Sequence, residues 1–185
     1  MYRKWFATVV LLLIALLPAK AQKRWGITPI VGVQVSQIKQ GQSGQPLVAL
    51  KGGAMGRYKL TTGDLGRIHL ESGLLFSDKG FAGREGTPIN SYKSITLEVP
   101  LLLNFDINLT PQVNSFFRVG PYYSHAFTPF ESVDRNDYGI QVGIGAEYRC
   151  WVVALDEGFG THDIHTGGQG KAKHINGCLS IGYKF

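Results

Sequence analysis

Along residues 95–107 every second position is apolar: Ile95, Leu97, Val99, Leu101, Leu103, Phe105 and Ile107. Successive side chains of a strand point to opposite sides of its sheet, so a period of two marks a strand with one greasy face. The other face reads Thr96, Glu98, Pro100, Leu102, Asn104 and Asp106, a mixed set with two carboxylates. The stretch exceeds the about five or six residues usual in soluble proteins and suits a tilted strand crossing a membrane, which needs about 9–11. It predicts one stave of an outer-membrane β-barrel.

Seven further strands follow from the same alternation. Residues 25–38 place Trp25, Ile27, Pro29, Val31, Val33 and Val35 on one face. Residues 48–60 send Val48, Leu50, Ala54, Tyr58 and Leu60 outward and Lys51, Met55, Arg57 and Lys59 inward. Residues 66–77 set Ile68, Leu70, Leu74 and Phe76 against Arg67, His69 and Glu71. Residues 116–127 set Phe117, Val119, Pro121 and Tyr123 against Arg118, Tyr122 and Ser124, and residues 138–148 turn Gln141 and Glu147 inward. After a tight turn at Arg149 and Cys150, Trp151, Val153 and Leu155 begin a seventh strand, and residues 172–185 form the eighth.

Short turns are expected at residues 61–65 and 108–115, and loops at 40–46, 78–91, 128–137 and 157–171. An even strand count with short and long connections alternating predicts a closed, eight-stranded, antiparallel transmembrane β-barrel. Aromatics gather near the strand ends (Trp25, Tyr58, Phe76, Phe105, Phe127, Tyr138, Tyr148, Trp151, Tyr183), where interfacial girdles belong. Pro29, Pro100 and Pro121 fall inside strands and predict bulges or lost ladder bonds, because proline has no N–H to donate.

The N-terminus changes the charge picture. Arg3 and Lys4 precede an apolar run too short to span a membrane, and Pro18-Ala19-Lys20-Ala21 supplies small residues for cleavage, so residues 1–21 read as a signal peptide. Its removal leaves 164 residues, 22–185, as one barrel domain and lowers the formal charge from +6 to +3. The basic balance is therefore largely a targeting feature, with no dense Lys/Arg cluster left to argue for nucleic acid. The last residues, Ile181-Gly182-Tyr183-Lys184-Phe185, resemble the C-terminal strand signature of bacterial outer-membrane proteins.

Candidate chemistry lies on the inward faces, where Arg57, Arg67, Arg118 and Lys51 oppose Glu71, Glu98, Asp106 and Glu147. An eight-stranded barrel is just wide enough for side chains to fill, and unpaired charges there are costly, so these groups should pair. A network of Arg57, Arg67, Glu71, Glu98, Arg118 and Glu147 is expected, with a plug centred on Glu98 and either Arg57 or Arg118. Such a lumen is not a pore.

Elsewhere the signals are weaker. His162, His165 and His174 with Asp156, Glu157 and Asp163 lie in or beside the last loop, but their spacing lacks a third metal ligand at fixed distance. Gly143-Ile144-Gly145 has Tyr148 in place of the third glycine of a dinucleotide fingerprint, and no cofactor is expected. Ser124, His125 and Glu131 are candidates for a lipid-hydrolysing site at the rim. Cys150 and Cys178 lie too far apart along their strands to bond and are expected as free thiols.

Three motifs in order, Leu97-Glu98-Val99-Pro100-Leu101-Leu102-Leu103, the glycine-rich alternation of residues 138–148 and the terminal residues 181–185, together resemble the PorT-type outer-membrane β-barrel family. Residues 70–80 match that family's third strand and following loop. The resemblance implies a barrel architecture with scattered roles and, from the founding member, a link to protein secretion. The chain is thus expected in the outer membrane as a non-enzymatic monomer, in contact with lipid and docking envelope or secretion proteins through loops 78–91, 128–137 and 157–171. A rim lipid hydrolase and a small pore are the alternatives.

Overall fold

The alternating stripes fold into eight strands that close on themselves: β1 (Trp25–Lys39), β2 (Gln45–Gly63), β3 (Gly66–Ala82), β4 (Tyr92–Asn108), β5 (Val113–Ala126), β6 (Asn136–Tyr148), β7 (Trp151–Gly160) and β8 (Lys173–Tyr183). This computed structural model describes residues 24–39, 45–63, 66–82, 92–128, 134–161 and 173–185. The signal peptide expected at residues 1–21 lies outside the described residues, as do most of the long connections. Each strand pairs antiparallel with its neighbours in chain order, and β1 closes the sheet against β8 with Val33 opposite Leu179. Closure leaves no sheet edge to be satisfied in lipid.

Period-two sequence becomes a two-faced wall. On the outer face Leu50, Leu74, Ile144, Leu155 and Leu179 are each more than half exposed, a pattern that makes sense only against acyl chains. Aromatics ring the short-turn end: Trp25 and Tyr58 lie with ring centroids 4.7 Å apart, and Tyr183 meets Trp151 at 5.3 Å and Phe185 at 5.1 Å. Phe127 and Tyr138 do the same at the loop end. Among the described residues the inner face carries two small apolar clusters, Met55–Leu75–Leu102 and Phe116–Val152–Ala154. Most of the other buried side chains are polar or charged.

Several boundaries differ from the sequence reading. β3 continues to Ala82 and β7 to Gly160, so Asp78, Lys79, Glu157 and Gly158 are strand residues. A lysine and glycines look like loop until the lumen is recognised as polar. The prolines interrupt ladders without shifting them: β3–β4 pairing skips Gly73 and Leu74 opposite Pro100 and Val99, and β4–β5 pairing skips Leu101 and Leu102 opposite Pro121 and Gly120. Pro29 keeps its position opposite Ala54, and the β1–β8 ladder begins one residue later. The register shifts fall elsewhere, in β2–β3 near Pro46 and Leu60. Arg149, at φ 55°, supplies the positive φ that the two-residue β6–β7 turn requires.

Candidate functional site

The inward positions of the strands converge on one ionic system. Glu71 is its hub: it accepts hydrogen bonds from Arg57 Nε at 2.6 Å, Asn104 Nδ2 at 2.7 Å and Arg118 Nη1 at 3.2 Å. Arg118 also grips Asp156 with both arms of its fork, Nε to Oδ1 at 2.7 Å and Nη2 to Oδ2 at 2.6 Å. Arg57 extends its other arm to Glu147, which Lys184 Nζ reaches from the rim at 2.5 Å. Three cations thus face three carboxylates, the balance that a low-dielectric interior demands. Gly143 makes this geometry possible, because a Cβ there would lie 2.1 Å from Asp156 Oδ1.

A second cluster lies toward the loop end, separated along the strands by Met55, Leu75 and Leu102. Glu98 sits between Lys51 Nζ at 2.5 Å and Lys79 Nζ at 2.8 Å. Lys79 also donates to Ser124 Oγ at 3.2 Å and stands 4.9 Å from the centre of the Tyr122 ring. Tyr122 donates its hydroxyl to Asp137 at 3.1 Å, and Asp137 lies 4.0 Å from Lys79. At the short-turn end Asp106 faces His69 Nε2 at 3.0 Å and Arg67 Nη2 at 3.6 Å. Between these groups the lumen keeps cavities of about 10 and 20 Å³. That is room for a water molecule, not for a column of them.

All six network residues named from sequence, Arg57, Arg67, Glu71, Glu98, Arg118 and Glu147, point inward. The partner expected for Glu98 is corrected: it binds Lys51 and Lys79, and neither Arg57 nor Arg118. Register explains this, since Arg57 pairs with Glu71 and Arg118 with Asn104. By register Arg57 stands four residues, roughly 13 Å of strand, and Arg118 six residues, roughly 20 Å, from the level of Glu98. Lys79, Asp137 and Asp156 were missed as lumen groups. Period two, carried past Ser77 in β3 and past Leu155 in β7, would have found Lys79 and Asp156.

The acidic and histidine candidates of the last loop fall partly within the described residues. Asp156 belongs to Arg118, Glu157 sits on the outward face of β7, and His174 is buried on the inner face of β8; His162, His165 and Asp163 lie outside the described residues. Among the described residues no three His, Cys, Asp or Glu side chains could hold a metal ion. Ser124 and His125 point to opposite faces: Ser124 is buried against Lys79, whereas His125 Nδ1 lies 2.9 Å from Asn136 Oδ1 on the outside. A serine–histidine relay cannot form between them, and Glu131 lies outside the described residues. Cys150 is exposed in the β6–β7 turn, Cys178 is buried in the lumen, and both are free.

A closed eight-stranded barrel with an apolar belt, aromatic girdles and a polar interior is an outer-membrane β-barrel protein. Residues 20–165 match the family described as outer membrane protein beta-barrel domain, and the chain belongs to that family, located in the outer membrane. Among solved structures it is similar to the outer membrane enzyme PagL, at 11% identity over 85% of this chain and 98% of that one, with a TM-score of 0.59. Neisserial surface protein A matches at 9% identity, 87% and 97% coverage and a TM-score of 0.53. Ail of Yersinia pestis, in complex with the heparin analogue sucrose octasulfate, matches at 14% identity, 88% and 99% coverage and a TM-score of 0.50. These likenesses concern the fold. A search of curated protein sequences returned no match.

Proposed function

We propose that this chain is a non-enzymatic, non-conducting outer-membrane barrel, secreted by way of a cleaved signal peptide at residues 1–21, whose rigid wall holds its long loops in place to dock other envelope proteins. The observation that carries this reading is the saturated hub at Glu71, which ties β3 to β2, β4 and β5 across the barrel. Such cross-lumen bonds argue against an aqueous path and commit Arg57, Glu71, Arg118, Glu147 and Asp156 to one another, so recognition falls to the loops. The PorT-type resemblance supports docking to a secretion apparatus as the finer form of this role.

Purified protein in planar bilayers, together with an assay of acyl-chain release from radiolabelled outer-membrane lipid, tests the reading. No unitary current steps and no released fatty acid are expected. Reproducible conductance would replace the scaffold with a small pore, and lipid hydrolysis lost in His125→Ala would replace it with a rim enzyme.

A further inference from the structure

The short-turn mouth of the barrel holds a hollow of about 360 Å³, far larger than the gaps of about 10 and 20 Å³ between the charged groups of the lumen. Its charged lining is mostly basic: Arg24, Arg57, Lys59, Arg67 and Lys184 outnumber the carboxylates of Asp106 and the terminal Phe185, with the exposed ring of Trp25 at its edge. Lys184 is bound to Glu147, but among the described residues neither Arg24 nor Lys59 is joined to any carboxylate. Arg67 comes no closer than 3.6 Å to Asp106, and its Nε is shielded from solvent without an acceptor. Elsewhere in the lumen Lys51, Arg57, Lys79 and Arg118 each reach a carboxylate within 2.8 Å, Lys51 and Lys79 sharing Glu98. Here Arg24 and Lys59 have no carboxylate among the described residues, and the Nε of Arg67 is a buried donor left without an acceptor, a costly arrangement unless something fills it.

We infer that this periplasmic vestibule is an anion site that takes a phosphate group, held by Arg67 and Lys59 with Arg24 at the entrance. Arginine offers a planar fork to phosphate oxygens and lysine a mobile point charge. The volume admits a phosphate with part of its hydration but no extended chain. Short turns face the periplasm in such barrels, and the Trp25, Tyr58, Trp151 and Tyr183 belt sets this mouth at the level of lipid headgroups. The phosphate can therefore come from a soluble monoester or from an anionic phospholipid of the inner leaflet. The site differs from the loop surface of the proposed function and stands if that reading fails.

The test uses the protein purified in octyl glucoside at low salt, with inorganic phosphate titrated calorimetrically into the wild type, Lys59→Gln and Lys59→Gln/Arg67→Gln. A second arm reconstitutes the same proteins into phosphatidylcholine vesicles containing brominated phosphatidylglycerol and reads tryptophan quenching. Saturable phosphate binding weakened at least tenfold in the double variant establishes the site with a soluble ligand. Absent phosphate binding but excess quenching by phosphatidylglycerol, lost in the double variant, establishes it with a lipid headgroup. No binding and no excess quenching, or binding unchanged by the substitutions, overturns it. Lys59→Gln breaks no ion pair and, checked by heat-shifted gel mobility, keeps the comparison valid should the double variant misfold.

Discussion

Replacing Glu98 by glutamine removes one charge and almost no volume, yet it undoes the centre of the upper lumen cluster. Lys51 and Lys79 both depend on this carboxylate, and their side chains are only 4% and 2% exposed. Lys79 retains Ser124, the face of Tyr122 and the more distant Asp137, so its loss is partial. Lys51 retains no ionic partner among the described residues. Breaking a buried pair from one side costs about 3–5 kcal/mol, because the remaining charge stays desolvated. Glu98→Gln should therefore lower unfolding stability by about that amount, and Lys51→Met in the same chain should recover most of it. Equilibrium urea unfolding in phospholipid vesicles, followed by tryptophan emission and heat-shifted gel mobility, measures both. A loss below about 1 kcal/mol for the single substitution, or additive losses in the double, would mean that water already solvates these lysines.

Four further outcomes follow from the same structure. Gly143→Ala should destabilise the barrel by about 1–3 kcal/mol in the same unfolding assay, since the new methyl group collides with the Arg118–Asp156 bridge. Leu155→Arg, near the middle of the outward face of β7, should cost about 2–4 kcal/mol, whereas a soluble sandwich would show no such dependence on lipid. Arg118→Met should lose about 3–5 kcal/mol alone, and pairing it with Asp156→Leu should restore much of the loss, read as recovered urea midpoint. His125→Ala should leave the urea unfolding stability within about 1 kcal/mol of wild type, because among the described residues His125 meets only Asn136 and the Phe127 ring at the outer rim; a larger loss would contradict this.

Much of the barrel is legible in the alternation of its residues. Strand β4 and strand β6 announce their faces because lipid demands apolar residues at every second outward position, and Leu101, Leu103, Ile140 and Ile144 obey without exception. The turn at Arg149 and Cys150 was legible only as a change of face, since neither residue is a usual turn former. Charges were harder to place than strands. Inward direction follows from local parity, but partnership follows from the stagger between strands, which no single segment encodes. That is why Glu98 found Lys51 and Lys79. Lys79 itself was hidden by habit: in a soluble sheet a lysine followed by glycine signals a loop, whereas a narrow polar lumen treats it as core. Asp156 was lost the same way, through nearness in sequence to the histidines of the last loop.

The most direct test of an ion-filled, lipid-facing barrel uses the two native cysteines. Cys150 is exposed in a turn and Cys178 is buried on the inner wall at 3% exposure. With the folded protein in vesicles permeable to neither side, a charged, membrane-impermeant maleimide supplied on the side of the short turns should modify Cys150 within minutes and leave Cys178 untouched until denaturant is added. Modification of Cys178 at a rate comparable to Cys150, in protein whose gel mobility shows it still folded, would reveal a hydrated lumen and contradict the account.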